Sequence, residues 1–386
     1  MDGSGIDGVL QDAVERGAVP HVAAIVADRD GVLHEGGAGP RAVGEDPGTV
    51  DAGTHFRIMS MTKMVATVAA LQQVERGELD LAAPVTEYRP EFGQIQVLEG
   101  WDGDTPRLRP PRTPATVHHL VTHTSGLGYW FWNEQLVRYQ DATGLPTVLG
   151  GARALMAPMV ADPGTAFVYG IGTDWLGKVV EAVAGRSLDV VVEEQITGPL
   201  GMDDTMFLLD DARRDNCVDL HVRGADGGWR AIGEPLPQQP EWWAAGHGLY
   251  STPRDYVRFQ RALLRDGELD GTRILRPETV DAAFRSQIGD IPFPEVIPTA
   301  DPATTDSLRL GPGWTWGHGL LVNTVDLPGR RRAGSGAWAG LFNTHFWVDR
   351  AAGICGSIYT NSLPFIPERD AWRTYVEFEQ AVYAAS

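Results

Sequence analysis

The chain has 386 residues, 43% hydrophobic and 22% charged, the composition of a soluble globular protein with room for one large domain or two moderate ones. Its formal charge of -19 argues against nucleic acid or an anionic membrane surface as a partner, because each needs a concentrated basic face. The one dense basic run, Arg330-Arg331-Arg332, reads as a solvated loop.

Two cysteines, Cys217 and Cys355, stand far apart in sequence and are expected to remain thiols, which fits a reducing cytosol. The first residues, Met1-Asp2-Gly3-Ser4, carry neither a basic start nor an apolar run, and no stretch is long enough to span a bilayer. The expected location is cytoplasmic, with no membrane partner.

Apolar residues at Ile6, Val9, Leu10, Ala13 and Val14 predict an amphipathic helix from Ile6 to Arg16, closed by Gly17. Strands at 21–27 and 32–35 flank Asp28-Arg29-Asp30-Gly31, whose Asp-Gly pair predicts a hairpin. Met64 to Leu71 is apolar nearly all round, the pattern of a helix buried inside a domain, starting near Ser60 and ending near Gly77. From Asp80 to Pro114 proline, glycine and charge predict loops, with Trp101-Asp102-Gly103-Asp104 as an exposed turn. Short helices are expected at 116–126, 175–183 and 188–196, so the middle third carries little strand signal.

Thr252-Pro253-Arg254-Asp255 supplies a hydroxyl cap, a proline and a first-turn acid for a helix through Leu264. Gln287 to Ser307 is proline-rich and reads as an irregular surface loop, a common place for a substrate-specific wall. Strands are expected at 314–322, from Leu341 to Val348 and at 354–359, the last two joined by a hairpin loop at 349–353, and a helix from Arg369 to Ala384 closes the chain. The expected fold class is α/β with a helical insertion. Residues 1–80 and 245–386 would form a sheet domain and 81–244 a mostly helical one.

Ser60 and Lys63 are three residues apart, on one face of the buried helix. Burial disfavours the ammonium form, and a neutral amine beside a serine is a nucleophile with its base. Bringing a lysine from ~10.4 to near neutrality costs ~4 to 5 kcal/mol, within what a buried site imposes. Ser60 as a plain N-cap and Lys63 as a solvated lysine would be the commoner reading of that spacing alone. Two further stretches change the balance. Tyr169, after Asp162-Pro163-Gly164 and before Gly170, sits where a phenol can reach a cleft and relay a proton beside a lysine. Gly334-Ser335-Gly336-Ala337-Trp338-Ala339-Gly340 offers small residues on an edge strand, whose N–H groups can point at an acyl oxygen.

These stretches, with Phe56-Arg57-Ile58-Met59-Ser60, Arg76-Gly77-Glu78-Leu79-Asp80-Leu81, His119 to Leu127, Pro163 to Tyr169 and Pro199-Leu200-Gly201-Met202, resemble the serine β-lactamase and penicillin-recognising family. The resemblance is closest to the class C-like carboxylesterase branch, family VIII. It implies an antiparallel sheet flanked by helices plus a helical domain, with the active site between them and no cofactor or metal. It implies Ser60 as acylated nucleophile, Lys63 as base, Tyr169 as proton shuttle, and an oxyanion hole made by the N–H groups of Ser60 and Leu341.

Two positions depart from the class C pattern. Tyr169-Gly170-Ile171 stands where that class has Tyr-x-Asn, and Trp338-Ala339-Gly340 where it has Lys-Thr-Gly. An aromatic in place of that cation suits a neutral acyl group, because a carboxylate there would be desolvated without a partner. Arg330 to Arg332 are the one candidate substitute cation. The expected activity is hydrolysis of short-acyl carboxylic esters through an acyl-enzyme, with Tyr129, Trp130, Trp132, Trp338 and Tyr250 offering an aromatic pocket beside Ala339 and Gly340. A β-lactamase, a D-amino-acid peptidase, an acyltransferase and a slowly acylating sensor remain open. No serine sits in Gly-x-Ser-x-Gly, and His119 and His123 lack both the glutamate and the third ligand of a zinc site.

Overall fold

The computed structural model describes residues 2–44, 48–224, 226–233, 240–368 and 370–385. The N-terminal amphipathic stretch forms α1, Ser4–Glu15, with Ile6, Leu10 and Ala13 buried. β1, Val22–Asp28, and β2, Val32–Ala38, make the expected hairpin, and the Asp28 carboxylate ties its turn by accepting from the N–H groups of Asp30 and Gly31, each at 2.8 Å. The buried helix is α2, Thr62–Glu75, in which every residue from Thr62 to Gln73 is buried. A 3-10 turn, Met59–Met61, precedes it, so Ser60 lies in that turn and not in the helix proper.

The middle of the chain contributes α3, Gly172–Ala184, ended by left-handed Gly185. α4, Pro253–Leu264, is capped as expected by the Thr252 hydroxyl. The last third gives β3, Trp314–Trp316, β4, Leu321–Asn323, β5, Gly336–Gly340, β6, Thr344–Asp349, and β7, Ile354–Tyr359. The chain ends in α5, Ala371–Ala384; the expected first residue, Arg369, is outside the described residues.

One antiparallel sheet of seven strands gathers both ends of the chain in the order β3-β4-β5-β6-β7-β1-β2. Strand alternation divides β1 cleanly. Val22, Ala24 and Val26 pack with Ile6 and Leu10 of α1 and Phe378 of α5, while Ala23, Ile25 and Ala27 join the larger core that holds α2 and α4. Each fully buried aliphatic or aromatic side chain there contributes about 1.5–3 kcal/mol, which fixes α2 in place and Ser60 with it.

Five expectations change. The strand expected at 314–322 is a hairpin, β3 and β4, because Gly317 and left-handed Gly319 turn the chain between them, and Gly317 N–H donates to Leu320 C=O at 2.8 Å. The strand expected from Leu341 is two: β5 ends at Gly340, and β6 begins at Thr344 after a turn closed by Asn343 N–H to Gly340 C=O at 3.0 Å. β5 is also interior to the sheet, although β4 pairs only with its Gly336 and Ala337 and leaves Trp338 onward uncovered on that side. The middle third holds more strand than expected. Val97–Asp102 pairs with Thr105–Arg109 around the turn at 101–104, and His221–Arg223 pairs with Trp229–Ala231.

The fifth change concerns the arginine run, which is anchored, with Arg331 buried and Arg332 exposed. Arg330 Nε donates to Glu379 at 2.8 Å, Arg331 is buried and donates to the Tyr375 hydroxyl at 2.7 Å, and Arg332 N–H donates to Asp349 at 2.9 Å. Among the described residues, no helix is long and apolar enough to cross a membrane.

Candidate active site

Ser60 is presented by a strained turn. Met59 has φ +45°, a conformation that costs a non-glycine residue about 1–2 kcal/mol and persists only where the surroundings over-determine it. Those surroundings are backbone. Ile58 N–H donates to Leu249 C=O at 3.2 Å, and Ile58 C=O accepts from the Thr344 hydroxyl at 3.2 Å. Gly340 is pressed against the same carbonyl, so that a Cβ there would lie 2.2 Å from Ile58 O. The end of β5 and the serine turn are therefore clamped together.

Lys63 is 1% exposed, and its Nζ stands 3.1 Å from Ser60 Oγ, 2.9 Å from the Tyr129 hydroxyl and 2.8 Å from Gly246 C=O. It also lies 4.9 Å from the ring centroids of both Tyr129 and Tyr169. Burial pushes its pKa down to about 7, against the attraction of Asp174. Both acidic and basic forms are then accessible near neutrality.

Tyr169 lies just before α3, and its ring centroid is 4.6 Å from that of buried His123. Burial raises its phenol above the ordinary tyrosine value, while hydrogen bonds with Ser60 and Trp338 act the other way. The loop leading to it is braced by Asp162, which accepts from Arg109 at 2.7 and 2.9 Å and from Arg112 N–H at 2.9 Å. Trp338 Nε1 donates to the Tyr169 hydroxyl at 2.8 Å.

Gly340 C=O points at Asn343 across the turn, and a trans peptide sends the N–H of Leu341 the opposite way, away from β6. Ala339 follows Trp338 on β5 and lines a separate small cavity with Trp372 and Tyr375. Tyr129 and Trp132 line a cavity of about 200 Å³ beside Tyr169, and Val296 and Ile297 from the proline-rich loop form its far wall. Trp130 points its indole N–H at Asp301, 3.3 Å away. Tyr250 belongs elsewhere, with Phe207, Trp242, Trp243 and His247 around a cavity of about 260 Å³.

Two participants were not read correctly from the sequence. Tyr129, expected only as a pocket wall, is a direct partner of Lys63. Asp174, in the first turn of α3, was not singled out; the available signal was a lone carboxylate next to Trp175 and Leu176 at a helix start that is buried all round. The histidines have packing roles: His119 Nδ1 accepts from Thr116 N–H at 3.1 Å in a capping box, and His123 packs on Tyr169 and Trp316.

A family model described as Beta-lactamase matches residues 6–381. Among curated proteins, the monacolin J acid methylbutanoyltransferase of Aspergillus terreus is 33% identical over 364 residues, covering 86% of this chain and 82% of its own. Esterase EstB of Burkholderia gladioli is 31% identical over 394 residues, covering 92% and 90%. Among solved structures, unliganded simvastatin synthase (LovD) from Aspergillus terreus superposes with a TM-score of 0.85 at 29% identity, covering 98% of this chain and 97% of that one.

Proposed function

The chain belongs to the beta-lactamase family, and on that premise we propose that Ser60 is acylated by carboxylic esters, with Lys63 as its base and Tyr169 as its proton shuttle. The enzyme is a serine carboxylesterase with the β-lactamase/transpeptidase fold, acting on small-molecule esters through a covalent acyl-enzyme. The observation that carries this reading is the buried Lys63 amine 3.1 Å from Ser60 Oγ.

In its neutral form that amine has two N–H bonds, which satisfy Tyr129 and Gly246, and its lone pair is left for the serine proton. Ser60 Oγ attacks the ester carbonyl as Lys63 takes the proton. The N–H groups of Ser60 and Leu341 receive the oxyanion. Tyr169, kept protonated by burial, gives its proton to the departing alkoxide and is reprotonated from the lysine side. Water, or an acceptor alcohol, then resolves the acyl-enzyme by the reverse sequence. The Ser-x-x-Lys spacing is thus the reactive motif.

Trp338 in the third motif and the engagement of the Arg330 and Arg331 side chains with Glu379 and Tyr375 support a neutral acyl group. The pocket walls on this reading are Tyr129, Trp130, Trp132, Trp338 and Gly340, with Tyr250 lining a second recess. Residues 1–80 with 245–386 supply Ser60, Lys63, Gly246 and Trp338, and residues 81–244 supply Tyr129 and Tyr169. That supports two units with the reaction between them. A cytoplasmic setting is part of this reading, on the sequence ground that two cysteines far apart fit a reducing compartment.

The similarity to a methylbutanoyltransferase favours a second outcome for the same intermediate, acyl transfer to an alcohol. A panel of esters, β-lactams and D-peptides, compared by kcat/KM with and without competing alcohols, tests the reading beside the Ser60→Ala protein. Esters should dominate, and transesterified product should rise with added alcohol if transfer competes. Faster lactam or peptide cleavage, or ester turnover by Ser60→Ala, would overturn it.

A further inference from the structure

The following rests on the acyl-enzyme reading above. We infer that Asp174 is the positioning residue of Lys63: it holds the lysine's two protein acceptors in place and supplies the buried counter-charge that sets the pH at which Ser60 is acylated.

Asp174 is fully buried at the start of α3. Its Oδ1 accepts from Gly246 N–H at 2.7 Å, and the carbonyl of that same glycine accepts from Lys63 at 2.8 Å. Its Oδ2 receives a longer contact, 3.5 Å, from the Tyr129 hydroxyl, which in turn accepts from Lys63 at 2.9 Å. One carboxylate therefore grips both groups that fix the amine. The fit at Gly246 is close enough that a Cβ there would fall 2.6 Å from Oδ2. Burying a carboxylate costs several kcal/mol unless a charge and hydrogen bonds answer it, so its presence here asks for a cation nearby.

Lys63 in its protonated form is that cation, and the same amine serves as base once it has lost the proton. The other titratable groups around the pair are Lys178 on α3, His123, His247, Tyr129 and Tyr169. Lys178 is engaged with Glu181 at 2.8 Å. His247 Nδ1 lies 3.9 Å from Oδ1, but burial holds His247 down to about 3 and His123 well below its ordinary value, so neither is charged near neutrality. The phenols are held protonated by burial.

The chemical consequence follows from sign. Burial drives the Lys63 pKa down and the Asp174 pKa up, and their mutual attraction opposes both, leaving the amine near 7 and the carboxyl at about 6, ionised at neutrality. A base is most effective when its pKa sits near the working pH, and without the carboxylate the amine would be neutral but weak. A carboxylate in a helix's first turn also complements the helix dipole, a purely structural role that leaves the pH profile alone.

Asp174→Asn keeps an acceptor for Gly246 N–H and removes the charge; Asp174→Ser removes the charge and most of the side chain. The test is kcat/KM for p-nitrophenyl acetate over about pH 5 to 9, with circular dichroism of each variant. In both variants the acid limb should move to lower pH by about one unit, with a lower plateau, because a less basic amine deprotonates earlier and accepts protons less readily. An acid limb in either folded variant that coincides with the wild type would overturn the inference. Failure of both variants to fold would also overturn it, by assigning Asp174 to the fold. A wild type that turns over no ester removes the premise itself, and that is read in the wild-type arm before any variant is compared.

Discussion

Trp338 Nε1 donates a 2.8 Å hydrogen bond to the hydroxyl of Tyr169, joining the end of β5 to the loop before α3. On the proposed mechanism the bond holds the phenol that protonates the leaving group, and it spends the indole N–H on the enzyme itself. Trp338→Phe keeps the ring and loses the donor, so kcat for neutral esters should fall about 5- to 10-fold with KM little changed, the size of one hydrogen bond. Tyr169→Phe removes the proposed shuttle, and kcat should fall by about 10²–10⁴. Steady-state kinetics on both variants check the pair, and near-normal turnover by Tyr169→Phe would remove that residue from the mechanism.

The pH profile of the wild type follows from Lys63. On the proposed mechanism the amine works only when neutral, and burial brings it to about 7, so kcat/KM should rise through neutrality and then level. Tyr169 is raised by burial, so its ionisation should place no basic limb below about pH 10. Lys63→Ala should lose several orders of magnitude in kcat and the acid limb with it. Profiles of kcat/KM on a non-ionising ester read both effects.

Gly340→Ala probes the clamp between β5 and the serine turn. Its Cβ would meet Ile58 O at 2.2 Å and Thr344 Oγ1 at 2.3 Å, and one of these contacts is backbone. Either the turn shifts or the strand does, at about 1–3 kcal/mol. A lowered Tm together with slower labelling of Ser60 is the expected result. An unchanged labelling rate would detach β5 from the site.

Asp162 makes a stability prediction with a definite sign. The Arg109 guanidinium, with Arg112 N–H, holds its carboxyl well below the usual carboxylate range. A depressed carboxylate contributes stability above the unfolded value of about 3.9 and loses it as pH falls further. Asp162→Asn should lower Tm at neutral pH and flatten the decline of Tm below about pH 4. Thermal unfolding at several pH values decides it.

Much of the site is legible in the amino-acid sequence because it is local. Ser60 and Lys63 are three residues apart next to a segment apolar on every side, and both are buried, Ser60 in the turn before α2 and Lys63 in its first turn. β1, β2 and α4 announce themselves through an Asp-Gly turn and a Thr-Pro cap. β5 is harder, since Gly336, Ala337, Ala339 and Gly340 have weak strand propensity and owe their conformation to β6. Long-range electrostatics is harder still. Asp174 meets Lys63 only through Tyr129 and Gly246, groups brought from three separate parts of the chain, and the buried Arg331 depends on Glu379 and Tyr375 of α5.

The most direct measurement is intact and peptide mass spectrometry after brief exposure to a fluorophosphonate, and separately to p-nitrophenyl acetate trapped by acid. The account predicts one adduct, carried by the peptide containing Ser60, absent from Ser60→Ala and slowed in Lys63→Ala. An unmodified Ser60 peptide in protein that still turns over ester, or an adduct on another residue, would contradict it.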